Sequence, residues 1–186
     1  MIIKQSALKA AAQRLHSGII KESAGMESLR NFALKARTRA FLSHSHLDRD
    51  LALGLAEELH TYGVKLYIDW LDFAMLAKTE VATAKRIQEK IKASDYFLFL
   101  ATENSLSSQW CPWELGYADG LIKHGNIYIV PTEDARNINY GKEYMGLYNV
   151  LEQFVSEGKR LKNFGYYPTD GSKPKWLPEE IKGNGI

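Results

Sequence analysis

Apolar residues recur along this chain at two different periods, and the switching between them predicts an alternation of helices and strands. Near the start, Ala7, Leu8, Ala11, Ala12, Leu15 and Ile19 follow a helical repeat, which predicts a helical leader over residues 1–36. Gly18 and Gly25 interrupt that repeat, so two short helices are expected rather than one. An apolar helical face must be covered, so the leader is expected to pack on the main domain or on a partner. From residue 39 the pattern changes. Residues 39–43 (RAFLS), 64–69 (VKLYID), 95–101 (DYFLFLA) and 126–131 (NIYIVP) read as strands. Helical stretches separate them. One carries Leu51, Leu55 and Leu59, begins at a Ser45 or Asp48 cap and ends at Gly63. Another spans 81–93, with Ile87 and Ile91 on one side, and a third runs from a Ser107 or Ser108 cap to about Lys123. Residues 70–79 and 102–108 read as loops. A further helix is expected over 143–155, and an irregular stretch over 166–186, where Pro168, Pro174 and Pro178 fall.

Strands separated by helices call for parallel crossovers. The third and fourth strands are almost continuously apolar, which suits central strands covered on both faces. The expected architecture is a flavodoxin-like, doubly wound α/β sheet over residues 37–168, with a helical N-terminal extension over 1–36 and a C-terminal tail over 169–186. In such sheets ligands sit beyond the carboxyl ends of the strands. Residues 43–44, 69–70, 101–104 and 131–133 therefore compete for the site.

Composition narrows the function classes. The chain has 186 residues with 24 basic and 22 acidic side chains, a formal charge of +2. That balance makes no case for nucleic acid or an anionic membrane as a partner. Cys111 is the single cysteine, which excludes an internal disulfide and a cysteine-based zinc cluster and points to an intracellular protein. No apolar run approaches the ~18 residues of a membrane span. Lys4, Lys9, Arg14 and Lys21, without an acid among them, overlap with the pattern of a transit peptide, but an amphipathic helix with a basic outer face is the simpler reading. There is no internal repeat and no low-complexity tract.

Three segments carry candidate chemistry. The first is Ser107-Ser108-Gln109-Trp110-Cys111-Pro112-Trp113-Glu114-Leu115, which follows a buried strand and opens a helix. Pro112 suits a first helical turn, where its missing N–H is harmless. Glu114 lies about one turn inside, where the helix N-terminus favours an ionised carboxylate; an ordinary first-turn glutamate fits the same pattern. The second is Phe41-Leu42-Ser43-His44-Ser45-His46 at a strand end, suited to binding phosphate or ribose. Turn and cap chemistry explains it equally, and His46 fits that plainer reading. The third is Asp69-Trp70-Leu71-Asp72-Phe73, whose carboxylates suit a divalent cation and whose rings suit a flat base. A loop packed on its own aromatics also accounts for it. Only His44 and His46 have ligand-like spacing among the histidines. Neither a G-x-G-x-x-G, a Walker lysine nor a G-x-S-x-G elbow is present.

Taken together, these segments resemble a TIR domain. Residues 39–44, with the polar run to Asp50, are similar to the family's opening strand, and 64–69 to its second. Residues 95–101, then 105–108 and Trp110-Cys111-x-x-Glu114-Leu115, are similar to its third strand and W-C-x-x-E-L helix, the most specific of the matches. The resemblance covers residues 38–155. It departs at 70–79, where the family often carries a Pro-Gly pair and this chain has neither residue.

The resemblance implies an activity. Many TIR domains cleave NAD⁺ at the nicotinamide–ribose bond, and their catalytic glutamate falls on Glu114. Ordinary glycosidases need a general acid as well as a second carboxylate. Nicotinamide leaves as a neutral molecule from a cationic ring, so one carboxylate suffices to orient the ribose hydroxyls and stabilise an oxocarbenium-like transition state. Capture by water gives ADP-ribose, and capture by a group of the same molecule gives a cyclic ADP-ribose. The same resemblance turns Ser43 and His44 toward the nucleotide, sets Trp70 and Phe73 along its nicotinamide or adenine side, and counts Asp69 among the binding residues. Trp110 counts among the binding residues and, with Cys111, anchors the helix that carries Glu114. Cys111 has no predicted base beside it and is not expected to act as a nucleophile. NAD⁺ enters as substrate, with no cofactor and no metal expected. By resemblance to stand-alone members such as those of Thoeris systems, the expected setting is cytoplasmic antiphage defence, with self-association through TIR–TIR contacts and a separate effector that senses the product. Two other readings use the same residues: a non-catalytic TIR adaptor, and a nucleoside deoxyribosyltransferase-like enzyme.

Overall fold

The predicted strands lie side by side in the computed structural model, which describes residues 1–21, 38–60, 62, 64–68, 80–144, 146–155 and 162–176. The chain opens with β1 (Ile3–Lys4) and α1 (Gln5–Lys21). Next come β2 (Thr38–Ser43), α2 (Arg49–His60), β3 (Val64–Tyr67) and α3 (Glu80–Lys92). They are followed by β4 (Tyr96–Ala101), the short α4 (Glu103–Leu106), α5 (Trp110–Asp119) and β5 (Ile127–Glu133). The described chain ends with β6 (Asn139–Tyr140), β7 (Asn149–Val155), β8 (Lys162–Tyr167) and β9 (Lys175–Trp176).

The sheet runs β3-β2-β4-β5-β7-β8-β9. Its pairs from β3 to β7 are parallel, and β8 and β9 add antiparallel strands beyond them. The parallel part has the flavodoxin-like order, whose direction of winding reverses between β2 and β4; that reversal opens a crevice at the carboxyl ends of the strands. The mixed, mostly parallel sheet with flanking helices is the α/β class expected.

Strand alternation assigns the core to two sides. Ala40, Leu42, Leu98, Leu100, Tyr128 and Val130 share one cluster with Leu8, Leu51, Leu55 and Leu59 of α1 and α2. Phe41, Phe97, Phe99, Ile127 and Ile129 share the other with Ile87 and Ile91 of α3 and Cys111, Leu115 and Ala118 of α5. On that second side Phe41 stacks on its register neighbours Tyr67 and Phe97, at centroid distances of 5.7 and 5.6 Å.

Within the described residues the leader is a strand and one helix that continues through Gly18, where an interruption was expected. Residues 22–36, on which the second expected helix falls, lie outside the described residues. β1 pairs in parallel with the end of β5, Ile3 against Thr132, and the Gln153 amide donates to the Met1 carbonyl at 3.2 Å, so β1 lies between β5 and β7. α1 packs along α2 with Leu8, Ala11 and Ala12 buried. The two backbones come so close at Gly54 that a Cβ there would lie 1.9 Å from the Leu8 carbonyl oxygen. Only glycine permits that approach.

Two other expectations fail for one reason. Residues 143–155 are not a helix: a 3₁₀ turn at Lys142–Tyr144 precedes β7. Residues 166–176 are not wholly irregular, because β8 and β9 reach into them. An open edge of β5 accepts Asn149 and Val150, and β7 in turn offers its free edge to β8. Backbone pairing with a neighbouring strand outweighs a local helical pattern, and Val150, Phe154 and Val155 suit a pleated surface. The expected polar loop at 102–108 contains α4, and the helix that follows stops at Asp119 rather than near Lys123.

Candidate functional site

Period-two alternation carries Ser43 to the same side of the sheet as Phe41, the side on which α5 lies. On α5 the buried residues are Cys111, Glu114, Leu115 and Ala118, an i, i+3, i+4, i+7 stripe. Glu114 is thus a carboxylate on an otherwise apolar face. It is 5% exposed, and the Ser43 hydroxyl, 1% exposed, donates to its Oε2 at 2.6 Å. That short bond joins the end of β2 to α5.

More buried polar groups surround this pair. Ser45 caps a 3₁₀ turn at His46–Asp48, its hydroxyl accepting from the Leu47 amide, and the Asp48 amide donates to the Ser45 carbonyl. The Asp48 carboxylate, 5% exposed, accepts from the Thr102 hydroxyl at 2.5 Å and from the Asn104 side-chain amide at 2.7 Å. Thr102 is also the N-cap of α4, in a reciprocal box with Ser105. Among the described residues ten polar or charged side chains are buried, and seven of them cluster here: Ser43, His44, Ser45, Asp48, Thr102, Ser105 and Glu114. Buried polar groups are costly unless paired, so their gathering at a strand-end crevice marks a site.

The predicted residues fall in three places. Ser43 and Glu114 come together at the crevice, and His44 follows Ser43 at the end of β2. His44 is buried, with Nδ1 3.1 Å from the Leu42 carbonyl, which makes Nδ1 the protonated nitrogen. Trp110 is set apart, 38% exposed at the start of α5, edge-on to Trp113 at 5.5 Å. Cys111 beside it is buried in the core, while the Ser108 hydroxyl accepts from the Trp110 and Cys111 amides. Asp69, Trp70 and Phe73 lie outside the described residues. Among the described residues there is no group of three or more His, Cys, Asp or Glu side chains able to hold a metal, and no helix is long and apolar enough to cross a membrane.

Asn104 falls in the strand-end stretch 101–104 and Asp48 reads as a cap, but their pairing is not visible in sequence because it joins loops that follow different strands. A second cluster also escapes sequence reading. Beyond β5, Arg136 donates to Asp134 and to Glu103, each at 2.7 Å, and Tyr140 donates to Asp134 at 3.0 Å. Partial desolvation pushes the Asp134 carboxyl up. Hydrogen bonds from the Ile138 amide, the Arg136 guanidinium and Tyr140 outweigh it and hold the group at about 2. This network ties the loop after β5 to α4, on the rim of the crevice.

Known proteins share this region. A family profile described as TIR domain matches residues 40–139, a stretch that contains Ser43, Asp48, Thr102 and Glu114. A Bacillus cereus (strain MSX-D12) protein named "Probable 3' cyclic ADP-D-ribose synthase ThsB'" is 37% identical over 110 residues, 58% of this chain and 57% of that protein. A Cytobacillus dafuensis protein named "Putative cyclic ADP-D-ribose synthase TIR2" is 29% identical over 86 residues, 45% of this chain and 23% of the relative. The chain therefore spans little more than half of the first relative and under a quarter of the second.

Proposed function

Because this chain belongs to the TIR domain family, we propose that it cleaves NAD⁺ at the nicotinamide–ribose bond and releases nicotinamide with ADP-ribose or a cyclic ADP-ribose. The observation that carries the reading is the buried Glu114 carboxylate, held by Ser43 at the β2–β4 crevice. The names of the two relatives state a cyclic ADP-D-ribose product, which favours the cyclic outcome.

In this mechanism the C1′–N bond breaks with its electron pair going to nicotinamide, which departs neutral. Glu114 faces the positive charge that builds on the ribose and stabilises it electrostatically, in a setting where exclusion of water strengthens the effect. Water, or an adenine or ribose group of the same molecule, then captures C1′ and loses a proton. NAD⁺ is the substrate, so no resident cofactor is required. Ser43 and His44 bind substrate at the β2 end of the site, with Asp69, Trp70, Phe73 and Trp110 as further binding residues. The protein acts in the cytoplasm as a signal generator in antiphage defence, assembles through TIR–TIR contacts that close the open strand ends, and hands its product to a separate effector.

The test is incubation of the pure full chain with NAD⁺, with and without a crowding agent, followed by chromatography and mass spectrometry of the products. Nicotinamide is expected together with a linear or cyclic ADP-ribose. NAD⁺ that persists in both arms, with Glu114→Gln indistinguishable from wild type, overturns the reading.

A further inference from the structure

We propose that Asp48 is a positioning residue for Glu114, acting through Thr102 and Asn104; the proposal rests on the functional reading above. The Asp48 carboxylate is buried, and two side chains from beyond β4 donate to it. A buried carboxylate with so few stabilising partners is a poor choice for packing alone, since apolar groups of the same size are often as stabilising.

The arrangement forms a closed circuit. From Ser43 the backbone runs through the Ser45-capped turn to Asp48. Hydrogen bonds cross from Asp48 to Thr102 and Asn104, 54 and 56 residues away. Thr102 starts α4 through its box with Ser105, and the Ser107 amide closes α4 on the Glu103 carbonyl. The chain then enters α5, whose Glu114 returns to Ser43 at 2.6 Å. Two loops that follow different strands are thereby locked at one separation. The Ser43–Glu114 bond is one polar fastening, and the Asp48 bonds are another, added to the apolar cluster that Cys111 and Leu115 share with Phe41. Without Asp48, α4 and the entry to α5 lose their hydrogen-bonded tie to the turn after β2. A displacement of a fraction of an ångström at a catalytic carboxylate lowers the chemical step more than it lowers binding.

The experiment compares Asp48→Asn, Asn104→Ala, Thr102→Val and Thr102→Ser in the full chain. NAD⁺ cleavage is measured over a range of NAD⁺ concentrations, and amide hydrogen exchange along α5 is measured without substrate. Asp48→Asn and Thr102→Val are expected to lower kcat at least tenfold with KM within about threefold, and to speed exchange in α5 more than in α3. Thr102→Ser keeps the hydroxyl and is expected to restore kcat to within threefold of wild type. Asn104→Ala, at a half-buried position, is expected to fold and to give an intermediate loss. Unchanged kcat in folded Asn104→Ala and Thr102→Val, or exchange that rises equally in α3 and α5, overturns the proposal. If wild type does not cleave NAD⁺, the functional reading fails by itself, and the exchange arm still decides whether Asp48 fixes α5.

Discussion

The middle of α2 and the turn that leads into it sit in contrasting surroundings. Midway along it, Gly54 presses against Leu8 of α1, and the seam is built from Leu8, Ala11, Ala12, Leu51 and Leu55, all buried and all apolar. Just ahead of its first turn, Ser45 and Asp48 are buried, and Asp48 is bonded to Thr102 and Asn104. The seam stabilises by area, with roughly 1.5–3 kcal/mol for each large apolar side chain removed from water. It demands close fit but no particular direction. The polar cluster gains little from burial, since each group must recover by pairing what it loses in desolvation. What it supplies is direction, because a hydrogen bond of 2.6 Å sets where a carboxylate points. One region maintains the fold, and the other spends stability on geometry.

Glu114→Gln breaks the comparison most sharply. It is nearly isosteric and leaves the seam untouched, yet NAD⁺ cleavage is expected to fall by about 10²–10³-fold, the usual loss when a preorganised electrostatic group is removed. Thermal unfolding checks the other half, with a midpoint close to that of wild type. Gly54→Ala is the converse. Its Cβ would meet the Leu8 carbonyl oxygen at 1.9 Å. Overpacking costs roughly 1–3 kcal/mol, partly offset by the better helix propensity of alanine. Denaturant titration should register the loss while kcat per folded molecule stays near wild type; a large drop in kcat would join the two regions that the contrast separates.

Ser43→Ala has a smaller effect that sharpens the polar side. It removes a donor to a charged acceptor, an interaction worth roughly 1.5–3 kcal/mol, and a fall in kcat of about tenfold or more is expected. Ser43→Thr retains the hydroxyl and should recover most of it, as initial rates at saturating NAD⁺ would reveal. The smallest effect lies on the rim. The folded Asp134 carboxyl sits at about 2 instead of 3.8. A depressed acid contributes stability that is fully present above 3.8 and is lost as pH falls from there through about 2. Arg136→Ala removes a donor, so the Asp134 midpoint should rise toward 3.8 in a ¹³C-carboxyl NMR titration. An unmoved midpoint would show that Arg136 is not among the groups that set it.

Much of this molecule was legible along the chain. The apolar strands β2, β4 and β5 announce themselves because burial on both faces leaves no polar alternation to obscure them. Glu114 was singled out by the W-C-x-x-E-L pattern, and its place on the buried stripe follows from the same spacing. The C-terminal strands were misread because nothing local in residues 143–155 distinguishes a helix from a strand that has a partner waiting. β1 was missed because two residues cannot show a period. Asp48 looked like a helix cap, and only its acceptance of bonds from Thr102 and Asn104 gives it another role.

The sequence by itself determined the α/β alternation, the strands covered on both faces, and the candidate carboxylate. Those properties are periodic and local, so they survive without knowledge of neighbours. The tertiary structure alone decided that Ser43 meets Glu114 across 71 residues, that Asp48 joins the two loops beside them, and that residues 149–155 extend the sheet. Each of these depends on strand register, here Ser43 opposite Phe99, and register is set by pairing across the whole sheet rather than by any single segment.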